Sequence, residues 1–149
     1  ILARLVEAYA DVTGINVEGL GSTTYSREDL QKGLEPDECY YIAHAAAILG
    51  KDEMDLTIDP PPDLAIEIDI SPPDVARQPI YGAMGVPEIW KYDGRQVVCL
   101  HRNEAGSYIL ASGSLSFPNL PMQWINELVT LGLEQGQSAA VAELRRRLC

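Results

Sequence analysis

The chain has 149 residues and a formal net charge of −11 at pH 7, because 22 acidic side chains outnumber 11 basic ones. This length suits one ordinary domain that buries its own hydrophobic core. The acidic excess disfavours tight nonspecific binding of nucleic acid, although acids around a metal centre can still act on a phosphate once cations are bound.

Cysteine usage and hydropathy exclude further classes of protein. The three cysteines show no C-x-x-C or C-x-x-H spacing, which predicts neither a disulfide framework nor a structural zinc site and favours a reducing cytoplasm. No apolar run approaches the length of a membrane span, so we expect no membrane association. Ile1 lies directly on a helical pattern, and we therefore expect the natural N-terminus to lie further upstream.

The first elements are a helix and a strand. Residues 1–13 carry apolar side chains near the 3.6-residue period, and Gly14 follows where an amphipathic helix would end. Residues 15–24 alternate loosely and predict a strand. Ser26 with Asp29 resembles a short capping box, which is typical of a helix start.

Two acidic segments follow. Residues 35–42 predict a strand whose proline restricts it to a strand start or a sheet edge, and residues 43–53 are an Ala-rich connection. Residues 61–70 predict a strand with two chemically opposite faces, because successive side chains alternate. The apolar face holds Leu64, Ile66, Ile68 and Ile70, and the other face holds Asp63, Ala65, Glu67 and Asp69.

Turn signals divide the next part of the chain. Residues 71–74 break the acidic strand, and Pro79 suits the first turn of a short helix that ends near Met84, with Gly85 as a left-handed cap. Asp93-Gly94 lies between two apolar runs and predicts a type I′ hairpin turn.

The predicted hairpin strands and the remaining elements complete the chain. The hairpin strands cover residues 88–92 and 96–102, a further turn leads into a strand at 108–112, and residues 121–148 predict one or two helices broken near 132–136. Together these elements predict an α/β fold: a central mixed sheet with helices on each side and a helical tail over residues 130–149.

Carboxylates on the two acidic strands suit a divalent cation. Asp37 follows Pro36 at a strand start, and Glu67 and Asp69 share one face of the later strand. If these strands pair, Asp37 and Glu67 can share Mg²⁺, which prefers hard oxygen ligands and leaves room for water and a substrate phosphate. This pattern indicates metal-assisted phosphodiester hydrolysis. For the later strand alone, a face that simply meets solvent is slightly favoured.

Four segments in the same order resemble the Uma2 family of restriction-endonuclease-like proteins, in the PD-(D/E)XK nuclease superfamily. They are residues 21–24 (GSTT), 35–39 (EPDEC), 61–69 (PPDLAIEID) and 79–90 (PIYGAMGVPEIW). The resemblance covers most of residues 1–125, and the tail beyond about residue 130 carries none.

The resemblance implies a restriction-endonuclease-like sandwich and a Mg²⁺-dependent endonuclease of the bacterial cytoplasm, for which Mn²⁺ could replace Mg²⁺. It implies catalytic roles for Asp37, Glu67 and Arg77, and metal ligation by Asp37, Glu67 and Asp69. The partner would be DNA, bound weakly or through the metal. A homodimer is left open, with the hairpin over residues 88–102 as its pairing edge.

The chain departs from the family pattern at the site. Asp69 stands where a lysine is expected, and the following helix offers Arg77, which can steady a phosphate but cannot act as a general base. An acidic residue of the first helix has only the exposed Glu7 as a counterpart. The competing hypothesis is therefore a catalytically silent scaffold or a protein-interaction module.

Other polar and aromatic side chains have ordinary structural explanations. For Asp63, capping of the strand is as expected as a place in the outer shell of a metal site. We expect Tyr81 and Trp90 to be packing residues. His44 and His101 lack a second ligand at metal spacing, which argues against a zinc site at either histidine.

Overall fold

A computed structural model of the protein describes residues 1–20, 25–27, 32–34, 36–51, 54–68 and 77–149, with the backbone alone for 25–27, 32–34 and Arg77. Its helices are α1 (Leu2–Thr13), α2 (Arg77–Met84), α3 (Met122–Gln135) and α4 (Gln137–Leu148), with a short 3₁₀ helix at Ala45–Ile48. Its strands are β1 (Glu18–Gly19), β2 (Tyr25–Arg27), β3 (Lys32–Leu34), β4 (Glu38–Tyr41), β5 (Leu64–Ile68), β6 (Glu88–Tyr92), β7 (Val97–Arg102) and β8 (Tyr108–Ala111).

Six strands form one mixed sheet in the order β1-β4-β5-β6-β7-β8, and β2 pairs with β3 in a separate hairpin. Strands β5 and β6 are parallel and α2 lies between them in sequence, whereas the other neighbours in the sheet are antiparallel. The predicted α/β fold with a mixed sheet is confirmed. In the described ranges, no helix is long and apolar enough to cross a bilayer.

One face of the sheet is covered by α1, α3 and α4. The apolar period of α1 buries Leu5 and Val6 completely, and α3 and α4 contribute Ile125, Leu128 and Leu144 to the same cluster. Each such side chain contributes roughly 1.5–3 kcal/mol on burial. The predicted helical tail is therefore part of the main core.

The opposite face, which we call the α2 face, has a smaller core. Strand residues Cys39, Ala65 and Ile89 pack there with Tyr81 of α2. A side chain at Gly82 would overlap the carbonyl of Gly106, so the helix can approach the β7–β8 turn closely only with glycine at this position.

A further contact fixes the position of α2. The Arg102 Nε donates to the carbonyl oxygen of Gly82 at 2.8 Å, and the Tyr108 hydroxyl donates to that of Val86 at 2.6 Å. These bonds hold α2 and its C-terminal end against β7 and β8, so the Tyr81 side chain has a defined place over β5.

Helix ends agree with the sequence more closely than strand ends. Gly14, Gly85 and Gly136 have positive φ angles where α1, α2 and α3 end, as the glycine positions predict. The strand predicted over 15–24 is observed only at Glu18–Gly19, and residues 21–24 lie outside the described ranges.

The capping box predicted at Ser26 is wrong, because Ser26 lies in β2, opposite Gly33. Its partner Asp29 lies outside the described residues. Strand β5 begins at Leu64 rather than at residue 61, since Pro61 and Pro62 have no N–H to donate to a neighbouring strand.

The hairpin is confirmed, but its turn is displaced by one residue. Tyr92 lies opposite Val97, and the Asp93 N–H donates to the carbonyl of Gln96 at 3.3 Å, so Gly94 and Arg95 are the central residues. The Asp93 carboxylate accepts the N–H groups of Arg95 and Gln96. Asp93, the residue before the two central positions, therefore stabilises the turn through its side chain.

The hairpin is not a dimerisation edge. Strand β6 pairs with β5 and β7 pairs with β8, so the hairpin lies inside the sheet. The expectation that residues 88–102 offer a free edge is wrong because the order of the strands depends on long-range packing. The outer strands of the six-stranded sheet are β1 and β8.

Candidate active site

Asp37 and Glu67 lie at neighbouring positions of two paired strands. Glu38 lies opposite Ile66 in the antiparallel pair of β4 and β5, and one further step brings Asp37 opposite Glu67. Directly opposed residues on one face have Cβ atoms about 4.5–5.5 Å apart. The Ile68 N–H donates to Asp37 Oδ2 at 2.7 Å, which ties the Asp37 carboxylate to the end of β5.

Glu67 is buried, with 5% of its surface exposed. It shares the α2 face with Ala65, and the hydroxyl of Tyr81 donates a hydrogen bond to Glu67 Oε1. The reading in which the acidic side of β5 simply meets solvent is therefore wrong for Glu67. Burying a carboxylate costs free energy unless hydrogen bonds or opposite charge compensate. The buried Glu67 under α2 is therefore a candidate functional residue.

Tyr81 is more than the packing residue that the sequence predicts. Its ring lies in the smaller core, 1% exposed, while its hydroxyl contacts Glu67. The sequence gives little indication of this contact. A buried tyrosine hydroxyl needs a polar partner, but the residues near Tyr81 in sequence do not identify it. Trp90 is confirmed as a core residue on the opposite face.

Lys91 lies in the same row as the two acids. Strands β5 and β6 run parallel with Glu67 beside Lys91, and neighbouring strands are about 4.8 Å apart. Ile89, two residues earlier on β6, lies in the core of the α2 face, so Lys91 points to that face as well. The lysine is half-buried. Sequence reasoning missed it because a parallel register joins distant segments.

The side chains of two further predicted site residues lie outside the described part of the chain. Asp69 lies outside the described residues, and Arg77 is described only as the first residue of α2. Their roles as metal ligand and phosphate contact stay predictions.

Glu38 lies on the other face of β4 among like charges. Burial raises the pKa of its carboxyl, and the nearby carboxylates of Glu7 and Asp37 raise it further. Glu7 also accepts a 3.5 Å hydrogen bond from the Tyr40 hydroxyl. Glu7 is exposed, as predicted, and it faces the three-helix side of the sheet rather than Glu67.

We expect Glu38→Gln to raise the melting temperature at pH 7 by about 1–2 °C, a gain of at most about 0.5 kcal/mol because the group is partly exposed and screened. A raised pKa means that the folded state holds this proton more tightly than the unfolded chain, so stability falls as pH rises through the ordinary glutamate range. The gain should vanish at pH 3.5, and Glu104→Gln serves as an exposed control. An equal gain at both pH values would contradict the explanation.

Asp63 stabilises the end of β4 rather than facing the site. Its Oδ2 accepts the N–H groups of Ile42 (2.6 Å) and His44 (3.1 Å), and its Oδ1 lies 2.9 Å from His44 Nδ1. Of the two roles predicted for Asp63, capping is the one that these contacts support.

Glu88 is a second buried carboxylate, on the three-helix face. It is 0% exposed. Its Oε2 accepts from Trp90 Nε1, Cys99 Sγ and the N–H of Leu115 at 3.0–3.1 Å, and its Oε1 accepts from the N–H of Ser116 at 3.0 Å. These four donors make Glu88 the hydrogen-bonding centre of the loop after β8.

Glu88, Cys99 and His101 also have potential ligand atoms within 4.8 Å of one another. The sequence spacing offers His101 no second ligand, and strand pairing brings these two candidates beside it. The four donors that already bond to the Glu88 carboxylate favour a structural network over a metal ion. His101 Nε2 lies 2.8 Å from the carbonyl oxygen of Gly113. Burial and the bond to Glu88 raise the pKa of the Cys99 thiol, which favours the protonated donor in the metal-free chain.

A surface cleft of about 530 Å³ lies between α2 and the β7–β8 turn, and Gln78 and Arg102 are among its lining residues. It contains neither Asp37 nor Glu67. Two of the three arginines at the end of α4, Arg146 and Arg147, form ion pairs with Glu143.

A mixed sheet with helices on both faces, and two carboxylates opposed on neighbouring strands, has the architecture of restriction-endonuclease-like α/β proteins. The chain belongs to the Uma2 family, whose model is described as "Putative restriction endonuclease" and matches residues 1–136. This match is consistent with a PD-(D/E)XK-like nuclease and extends through α3. No curated protein matches the chain.

Proposed function

We propose that the chain is a metal-dependent endonuclease that hydrolyses phosphodiester bonds in DNA. Asp37, Glu67 and Asp69 would hold Mg²⁺ or Mn²⁺, and Arg77 would contact the phosphate. The observation that carries the proposal is the register of β4 and β5, which brings Asp37 opposite Glu67 at the edge of a buried face.

The donor set fits a hard divalent cation. Two carboxylates on one face would both repel each other and leave a buried negative charge, and a dication relieves both costs. Glu67 is buried and Asp37 is exposed, so an ion between them would have one sheltered ligand and one side open to water and substrate. Asp37 Oδ1 has no hydrogen-bond partner among the described residues, which leaves it available as a ligand.

The reaction is an in-line displacement at phosphorus. The oxygen of a water molecule bonds to phosphorus while one ester oxygen leaves; the water loses a proton to solvent and the leaving oxygen gains one, giving a phosphate monoester and a hydroxyl. The divalent cation, when bound, supplies Lewis acidity and lowers the pKa of bound water. Tyr81 fixes the Glu67 side chain, and the Ile68 N–H fixes Asp37, so both carboxylates are oriented before substrate binds.

The test is cleavage of supercoiled plasmid DNA with Mg²⁺, Mn²⁺ or EDTA. We expect the wild-type chain to cut with Mg²⁺ or Mn²⁺, and we expect Glu67→Ala to cut no faster than the EDTA sample. Glu134→Ala removes an exposed acid of α3 and should match the wild type. Equal cutting by the wild type and Glu67→Ala would remove this mechanism.

Thermal unfolding with metal alone separates the nuclease from a silent scaffold. Free Mn²⁺ at a hundred times its Kd should stabilise a working site by about 2.7 kcal/mol, and Glu67→Ala should abolish this gain. A chain that neither cuts nor gains stability would be a silent scaffold. A homodimer, a single domain over residues 1–149 and a cytoplasmic location remain predictions.

A further inference from the structure

A row of charged side chains crosses the α2 face of the sheet. Its order is Asp37 at the start of β4, Glu67 on β5 and Lys91 on β6, and the next position on β7 is the apolar Val98. Three separate strands therefore place an acid, an acid and a base side by side near the carboxyl ends of the parallel pair.

Lys91 forms no ion pair with the described residues. In the part of the chain that the structure describes, no carboxylate lies within 4 Å of its ammonium. The neighbours of Lys91 on this face are otherwise apolar, with Ile89 earlier on β6 and Val98 across the pair. A half-buried lysine lays its carbon stem along apolar neighbours and keeps its ammonium at the surface, where it can contact a bound anion.

The charges of the proposed reaction call for such a cation. The three proposed carboxylate ligands and one dication sum to a charge of −1, and a phosphodiester then adds a further negative charge that grows during attack by water. A lysine stem of four carbons can carry a point charge over the neighbouring strand to that phosphate. Preorganised positive charge aimed at developing negative charge is the usual way in which proteins stabilise such transition states.

We infer that Lys91 is a catalytic residue of the proposed nuclease, with its ammonium contacting a non-bridging oxygen of the scissile phosphate beside Asp37 and Glu67. This inference rests on the proposed function. The contact from Lys91 would add to the predicted contact from Arg77, and the role of Lys91 does not depend on Arg77. Its proposed role is to supply positive charge and not to transfer a proton, so the proton of the attacking water still leaves to solvent.

The test compares Lys91→Met, Lys91→Arg and the matched control Arg95→Met under single-turnover conditions with Mn²⁺ and plasmid DNA. Arg95→Met changes the net charge equally but lies in the exposed hairpin turn. We expect Lys91→Met to lower the cleavage rate by about 10²–10³-fold. Lys91→Arg keeps the charge and should cut at least about tenfold faster than Lys91→Met. Arg95→Met should cut at the wild-type rate.

A second readout is the affinity for Mn²⁺ alone, measured by thermal titration. An ammonium beside the two carboxylates weakens cation binding, so Lys91→Met should lower the Kd for Mn²⁺ by about tenfold, and Arg95→Met should not. A purely structural lysine would change the melting temperature of the metal-free chain without this gain in affinity.

The outcomes separate this inference from the proposed function. If the wild type cuts and Lys91→Met cuts within twofold of it, the role of Lys91 is overturned and the nuclease stands. Lys91→Arg as slow as Lys91→Met would also overturn the electrostatic role. If the wild type does not cut, the proposed function fails and the role of Lys91 fails with it.

Discussion

Glu88→Ala is expected to lower the free energy of unfolding by about 3–5 kcal/mol, the largest loss of stability that we predict for one substitution. The substitution removes a fully buried acceptor for Trp90 Nε1 and for the N–H groups of Leu115 and Ser116. A buried donor left without a partner costs roughly 1–3 kcal/mol. Such a loss is a large part of the 5–15 kcal/mol typical of a domain.

The measurement is urea unfolding followed by tryptophan fluorescence. Glu88→Gln keeps the shape of the side chain but turns one acceptor into a donor that faces other donors, so it should lie between the wild type and Glu88→Ala. Glu104→Ala removes an exposed acid and should stay within about 0.5 kcal/mol of the wild type. A loss below about 1 kcal/mol for Glu88→Ala would contradict the network.

Thermal unfolding with EDTA or Zn²⁺ separates a structural network from a metal site at Glu88, Cys99 and His101. If hydrogen bonds alone hold the loop after β8, the wild-type melting temperature should be unchanged by EDTA and by Zn²⁺. A Zn²⁺-dependent gain that Cys99→Ser abolishes would show that the cluster binds metal. The four hydrogen bonds to Glu88 favour the first outcome.

Local sequence predicted those features that depend on local physics. The apolar period of residues 1–13 and the glycines at 14, 85 and 136 predicted helices and their ends, because these depend on neighbouring residues and on positive φ angles. Alternation along each strand placed Asp37 and Glu67 on particular faces, whereas the pairing of β4 with β5, which sequence reasoning could state only as a condition, brings them opposite each other.

The missed residues depend on tertiary registration. Lys91 lies beside Glu67 only because α2 returns the chain to a parallel strand in one particular register, which no local pattern encodes. Tyr81 contacts Glu67 because α2 docks closely at Gly82. The role of Glu88 likewise arises from a loop that follows two further strands.

The proposed active site predicts a strongly non-additive double-mutant cycle between Asp37→Asn and Glu67→Gln. Each substitution removes one negative charge while keeping an oxygen that can accept from the Ile68 N–H or from the Tyr81 hydroxyl. The fold should therefore persist while cation binding is lost. We expect each single variant to lower the metal-dependent cleavage rate by about 10³-fold or more.

The double variant should cut no more than about tenfold more slowly than either single variant, because two groups that hold one ion act as a unit. Single-turnover rates at one fixed Mn²⁺ concentration that saturates the wild type give the cycle, and urea unfolding of all four proteins checks that the fold is kept. Glu104→Gln combined with Glu134→Gln removes two exposed charges and should leave the rate unchanged. If the two losses at Asp37 and Glu67 multiplied, the carboxylates would act independently, and a shared cation would no longer explain why β4 and β5 place them face to face.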